Sequence, residues 1–237
     1  MTKNILPAIF LILSIFSYGL GEVHGELTAS PVSAFKDSIE NQILYNGRIW
    51  NNPYSGIDGH PFLFSAYFLA GSVKIDDYTF DNVRIRYDII NDELLIQGKD
   101  GIIIQLNKEI ISSFYLWLND EVLNFRNFDN DSGSAFAGYW NVLYEAGIKI
   151  YVKYKKEILP TSFTNGPPRF NQVSKVYIIK DGRIYRTDTR KDLLNIFGTK
   201  SEKQIIKEYI RDNHIRISRK DPGVFRRVIE YYETVTK

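Results

Sequence analysis

The chain has no cysteine. That excludes disulfide staples, thiolate metal ligands and lipid attachment at an N-terminal cysteine, so stability must come from an ordinary hydrophobic core. Histidine is nearly as scarce, at three residues, and no H-x-x-x-H spacing is left to support a zinc site. There is no G-x-x-x-x-G-K-[ST] or G-x-G-x-x-G loop to cradle phosphate. A G-x-S-x-G nucleophile elbow is also missing. The one long apolar run is N-terminal, and no later stretch is long and apolar enough to span a bilayer.

That N-terminal run has the form of an export address. Lys3 supplies a positive start, Ile5–Leu20 an apolar core carrying Pro7, and Gly19, Gly21 and Gly25 small residues at which a peptidase can cut. It falls short of the ~20 residues that cross a bilayer comfortably. Residues 1–25 are therefore expected to be a signal peptide, cut after Gly21 or Gly25. The expected workplace is the periplasm, the cell surface or the medium.

Hydrophobic residues make up 44% of the chain and aromatics 14%, which fits a folded protein and argues against disorder. The net charge of +2 is unevenly placed. Residues 26–168 carry 12 Lys+Arg against 18 Asp+Glu, and residues 169–237 carry 17 against 9. Charge attraction to an acidic partner weakens as salt rises. Basic side chains coating solvated helices give the same count, and export argues against a nucleic-acid partner.

Alternation predicts strands. In Asn82–Ile89, Val83, Ile85, Tyr87 and Ile89 face one way, while Arg84, Arg86 and Asp88 face the other, as in a strand with one face on a core and one in water. Similar runs lie at Phe62–Phe68, Ser72–Asp76, Glu93–Gln97, Ile102–Asn107, Ile110–Leu118, Gly138–Glu145 and Ile148–Lys156. Asn46-Gly47, Asp100-Gly101 and Asp181-Gly182 each predict a tight hairpin turn. Asp129–Ser134 reads as a loop, and Pro160–Pro168 as a turn-rich linker. Beyond it, helices take over. Thr189 with Asp192 and Ser201 with Gln204 are capping patterns, and Asp221-Pro222 opens a last helix striped by Val224, Phe225, Val228, Ile229 and Tyr232.

The fold class predicted is α+β: an antiparallel β meander, barrel-like or sandwich-like, then a β-hairpin and two to three amphipathic helices. The expected division is a β-rich domain over 26–160, a loop or linker over 161–172, and a hairpin plus helical region over 173–237 packed on the sheet.

The chain offers little reactive chemistry. His60 sits in the turn Asp58-Gly59-His60-Pro61 and His214 lies between two helices; neither has a nucleophile motif beside it. Asp129, Asn130 and Asp131 invite calcium, but Gly133 stands where a third ligand belongs and Trp140 where the bidentate glutamate belongs, so an Asx-rich turn is expected instead. Asp88, Asp92, Glu93 and Glu145 are candidates for a carboxylate pair that no local motif singles out. Trp50, Trp117 and Trp140, with Tyr139 and Tyr144, can stack on sugars or anchor a protein. Core packing is the commoner explanation of these aromatics, as it is of Tyr209, Tyr231 and Tyr232 on the terminal helices. The expectation is no catalytic residue, no metal and no cofactor, with binding residues unassigned.

Two stretches taken together, Gly71-Ser72-Val73 running on to Val83–Leu95 and Val176–Arg186 running into Asp192-Leu193-Leu194, resemble a group of small, uncharacterised exported proteins of Bacteroidetes-type bacteria. The resemblance implies a Gram-negative periplasm or cell surface. The resulting functional expectation is a non-enzymatic envelope protein that binds a protein or glycan partner, including as part of an outer-membrane-associated assembly. The alternative is a carboxylate-dependent hydrolase working in a β-domain cleft.

Overall fold

Val83, Ile85, Tyr87 and Ile89 are all buried in the main core, so the alternation expected for this strand sets which face of the sheet turns inward. The structure is a computed structural model that describes residues 42–98, 100–129, 136–164 and 166–236. The expected signal segment, and Asn130 to Ser134 of the expected loop, lie outside the described residues.

The strands are β1 (Gly47–Ile49), β2 (Leu69–Ile75), β3 (Tyr78–Asp88), β4 (Glu93–Gln97), β5 (Ile103–Leu106), β6 (Ile111–Leu118), β7 (Glu121–Asn127), β8 (Tyr139–Glu145), β9 (Lys149–Leu159), β10 (Arg169–Lys180) and β11 (Arg183–Arg186). They form one 11-stranded sheet in the order β1-β5-β4-β3-β2-β6-β7-β8-β9-β10-β11, paired antiparallel throughout. Two meanders run outward in opposite directions from the β2–β6 pair. The three-residue β1 and the four-residue β11 are the edges, so the sheet is open. It is neither a closed barrel nor a two-sheet sandwich.

The open sheet is nevertheless strongly bent. Four strands separate β3 from β9 in the pairing order, a distance of about 24 Å across a flat sheet at ~4.8 Å per strand. Yet Lys156 N–H donates to Ile89 O at 3.2 Å, so the ends of β9 and β3 meet. The hollow of the bend is filled by aromatic rings: Phe114 and Phe125 stack at 4.6 Å, and Tyr87 and Tyr139 meet Phe114 edge-on at 5.3 and 5.1 Å. On the opposite face, Phe128, Phe136, Trp140 and Tyr151 form a smaller cluster with Tyr177 packed beside it.

Several expected elements change character in three dimensions. Phe62–Phe68 does not form a strand. It makes a single bridge, Phe62 to Asp88, and otherwise bends over the outer face of β3. Asn46-Gly47 is not a hairpin turn, because Gly47 is drawn into β1 opposite Leu106 of β5. A Cβ on Gly47 would lie 2.2 Å from Gln105 O, so that pairing needs glycine. Asp181-Gly182 does turn a hairpin, with φ of 52° and 73°, and Gly101 sits at φ 76° in the β4–β5 turn. The segment Pro160–Pro168 holds one helical turn, α1 (Thr161–Thr164), and joins β9 to β10, which pair from Leu159–Arg169 onward.

Helices α2 (Arg190–Asn195), α3 (Lys200–Asp212) and α4 (Gly223–Thr236) close the chain. Val224, Phe225, Val228, Ile229 and Tyr232 are buried in the same core as the sheet, together with Ile206 and Ile210 of α3. Thr189 and Asp192 form a full capping box. The box of α3 is Thr199 with Glu202 rather than Ser201 with Gln204; the helix starts two residues earlier because Glu202 is also reached by the Tyr232 hydroxyl at 2.6 Å. The hydrogen bond from Tyr232 and those from Thr199 hold the Glu202 carboxyl down at about 2. A depressed carboxylate contributes stability above its unfolded pKa and loses it as pH falls toward the folded value. Glu202→Gln should therefore melt below wild type at neutral pH, and the gap in Tm should shrink to nothing as pH drops from about 5 to about 2. A gap that stays constant in calorimetry across that range would refute this assignment.

Candidate functional site

The β3–β4 turn carries two of the candidate carboxylates, and the fold gives them opposite surroundings. Asp88, the last residue of β3, is fully buried instead of facing water. One of its oxygens accepts from the backbone N–H of Ile90 (2.9 Å) and Asn91 (3.2 Å), and the other from the Tyr54 hydroxyl and Asn91 Nδ2 (both 3.3 Å). Burial pushes the Asp88 carboxyl up against the pull of these donors.

Asp92, at φ 60°, lies among cations. Its Oδ1 accepts from the Tyr87 hydroxyl and from Lys153 Nζ at 2.8 Å, and its Oδ2 from Lys108 Nζ (2.8 Å) and Tyr139 N (3.2 Å). Lys108 also reaches Asp129 at 3.0 Å. Burial alone would raise Asp92, but Lys153 and Lys108 outweigh it and hold the carboxyl below the usual range. Gly138, at φ 74°, presses on this cluster, and a Cβ there would fall 1.8 Å from Asp92 Oδ2. All four oxygens of Asp88 and Asp92 accept two hydrogen bonds each.

The remaining candidates are also engaged. Glu145 takes both ends of Arg126 (3.2 and 2.8 Å) and the Tyr151 hydroxyl (2.7 Å). Glu93 pairs with Arg48 at 3.2 Å. His60 lies beside Lys156, whose Nζ donates to His60 O and Phe62 O, each at 2.7 Å, and stands 3.3 Å from His60 Nδ1. Burial pulls the Lys156 ammonium down to about 8, but its three contacts make it a clamp on the His60–Phe62 segment. His214 is exposed at φ 51° after α3 and contacts none of these groups. Trp140 and Tyr139 are core, as packing predicted. Among the described residues no cluster of His, Asp and Glu could hold a metal ion, and no helix is long and apolar enough to cross a membrane.

Open space lies instead across β1, β5 and β4. A polar cleft of about 740 Å³ is lined by Asn46, Arg48, Asn91, Glu93, Gln105, Asn107, Lys108 and Asp129. It runs into a second depression of about 370 Å³, where Trp50, Asn51 and Pro53 join Arg48, Asn91, Glu93 and Gln105. Arg48 Nε is steered by Gln105 Oε1 at 2.9 Å. No family model, curated protein or solved structure matches this chain. The geometry therefore carries the functional argument.

Of the residues around this cleft, the sequence singles out Trp50 at the rim, and Glu93 and Asp129 for different reasons. Arg48, Gln105, Asn91 and Lys108 gave no signal, because they come together only when the short β1 pairs with β5.

Proposed function

We propose that this chain is an exported envelope protein that binds a glycan, without catalysis, in the cleft across β1, β5 and β4. The carrying observation is the cleft lining. Asn46, Asn91, Gln105 and Asn107 offer planar amides, Arg48 and Glu93 offer a charge-assisted donor and acceptor, and Trp50 stands at the adjoining rim. Sugar hydroxyls need paired donors and acceptors, and sugar C–H faces pack on an indole ring. Saturation of Asp88 and Asp92 favours binding over carboxylate hydrolysis.

Tryptophan fluorescence and calorimetry with a panel of neutral oligosaccharides test the reading. One or more should bind with quenching, and Trp50→Ala should weaken that binding about tenfold. Near-ultraviolet circular dichroism checks that the variant retains its core. If no saccharide binds, or if Trp50→Ala binds as wild type, the reading fails.

A further inference from the structure

The outer face of β3 carries cationic side chains that lack acidic partners among the described residues. Arg84 and Arg86 point to this face, and neither forms an ion pair among the described residues. The Arg86 guanidinium is gripped by two rings, with its Cζ 4.9 Å from the centre of Phe62 and 4.1 Å from that of Phe68. Its Nε is buried without a hydrogen-bond partner. The rest of the group is only half-buried and makes no hydrogen bond among the described residues. His60 stacks on the same Phe62 at 5.9 Å, beside Lys156. Burial, Lys156 and Arg86 all push His60 down, which is the mark of cations packed together. Asp88, on the same face, accepts from Tyr54, Asn91 and two backbone amides.

A guanidinium held between aromatic faces, with its Nε turned inward, keeps its Nη1–Nη2 edge for bidentate binding of an oxyanion. The group also lies in register with the cleft. Arg86 pairs with Leu95, Leu95 with Gln105 and Gln105 with Arg48, all on one face, while the Trp50 ring lies 5.8 Å from Phe62. Trp50 thus stands between the polar cleft and Arg86.

We infer that Arg86, clasped by Phe62 and Phe68, is an anion subsite for the acidic substituent of a sugar. This inference rests on the glycan reading of the cleft and extends it: the preferred ligand is an acidic glycan, with its neutral body across Trp50 and its carboxylate on Arg86.

The test is a side-chain Nε–Hε nuclear magnetic resonance titration of the full chain with sodium glucuronate. Parallel titrations use sodium sulfate and, at matched ionic strength, sodium chloride. The Arg86 signal, assigned by its loss in Arg86→Lys, should shift and saturate with glucuronate, while those of the exposed Arg211 and Arg226 follow ionic strength alone. Arg86→Lys should weaken glucuronate binding at least tenfold and leave neutral oligosaccharide binding unchanged. If that variant does not fold, through-bond assignment of the wild-type signal serves the same titration.

Equal shifts with chloride, or saturation by sulfate without glucuronate, would overturn the subsite. Neutral sugars that bind through Trp50 while Arg86 stays silent would refute the subsite and spare the cleft. A glucuronate response at Arg86 with no neutral sugar bound would support the subsite and refute the cleft as the body's resting place.

Discussion

Lys153→Met should lower the unfolding free energy by about 3 kcal/mol, because it strips a partly buried carboxylate of its least exposed cation. The Lys153 side chain is only 7% exposed, and Asp92 cannot turn to water without leaving Tyr87, Lys108 and Tyr139 N. Lys108 remains as a partner, which keeps the loss near the lower end of the range for broken buried pairs. Urea unfolding should show the midpoint falling with an unchanged slope. The double variant Asp92→Asn/Lys153→Met should recover part of the loss, since the uncompensated charge is gone. Acid sensitivity should move as well. Asp92 contributes stability above its unfolded pKa and loses it as pH falls through its depressed folded pKa, so removing Lys153, its leading support, brings that loss on at higher pH. A single variant that loses under about 1 kcal/mol would show that the pair does not hold the turn.

Glu233→Ala should cost about 2 kcal/mol, for a different reason: it orphans a buried backbone donor. From the end of α4, Glu233 accepts Ile148 N–H at 2.7 Å and the Tyr144 hydroxyl at 2.6 Å, tying the helix to the β8–β9 hairpin. The hydrogen bond to Glu233 also lifts the Tyr144 hydroxyl to about 12. Gly147 leaves room for the carboxylate, since a Cβ there would lie 2.7 Å from Glu233 Oε1. Hydrogen exchange should accelerate in the last turn of α4 and at Ile148, while amides near Phe225 stay protected by their buried side chains. Glu233→Gln keeps an acceptor and should recover about half the loss. Uniform acceleration along α4 would contradict this local role.

The strands were legible where a single periodicity governs burial. Glu93–Gln97 is observed with those bounds, and the apolar stripe of the last helix is buried residue for residue. Reading failed where a residue's fate depends on distant chain. Lys153 sits in an alternating lysine run that looks solvated, yet Trp140 lies under it and Asp92 draws it inward. Asp88 reads as a water-facing residue, but Tyr54, Asn91 and the amides of its own turn close over its carboxylate. Asn46-Gly47 carries genuine turn chemistry, which the pairing of β1 with β5 overrides. The cleft was the least legible of all, because its walls come from four short segments whose polar side chains have no pattern in sequence.

The contact between β3 and β9 bears on how the chain is made. Ile89 meets Lys156, Asp92 waits for a lysine 61 residues further on, and Tyr144 for a glutamate 89 residues further on. Such far-flung pairings slow the search for the native state. A nascent polypeptide halted before β9 would hold its turn carboxylate without Lys153 and its aromatic hollow uncovered, a sticky half-product that invites chaperone capture until the last helix arrives.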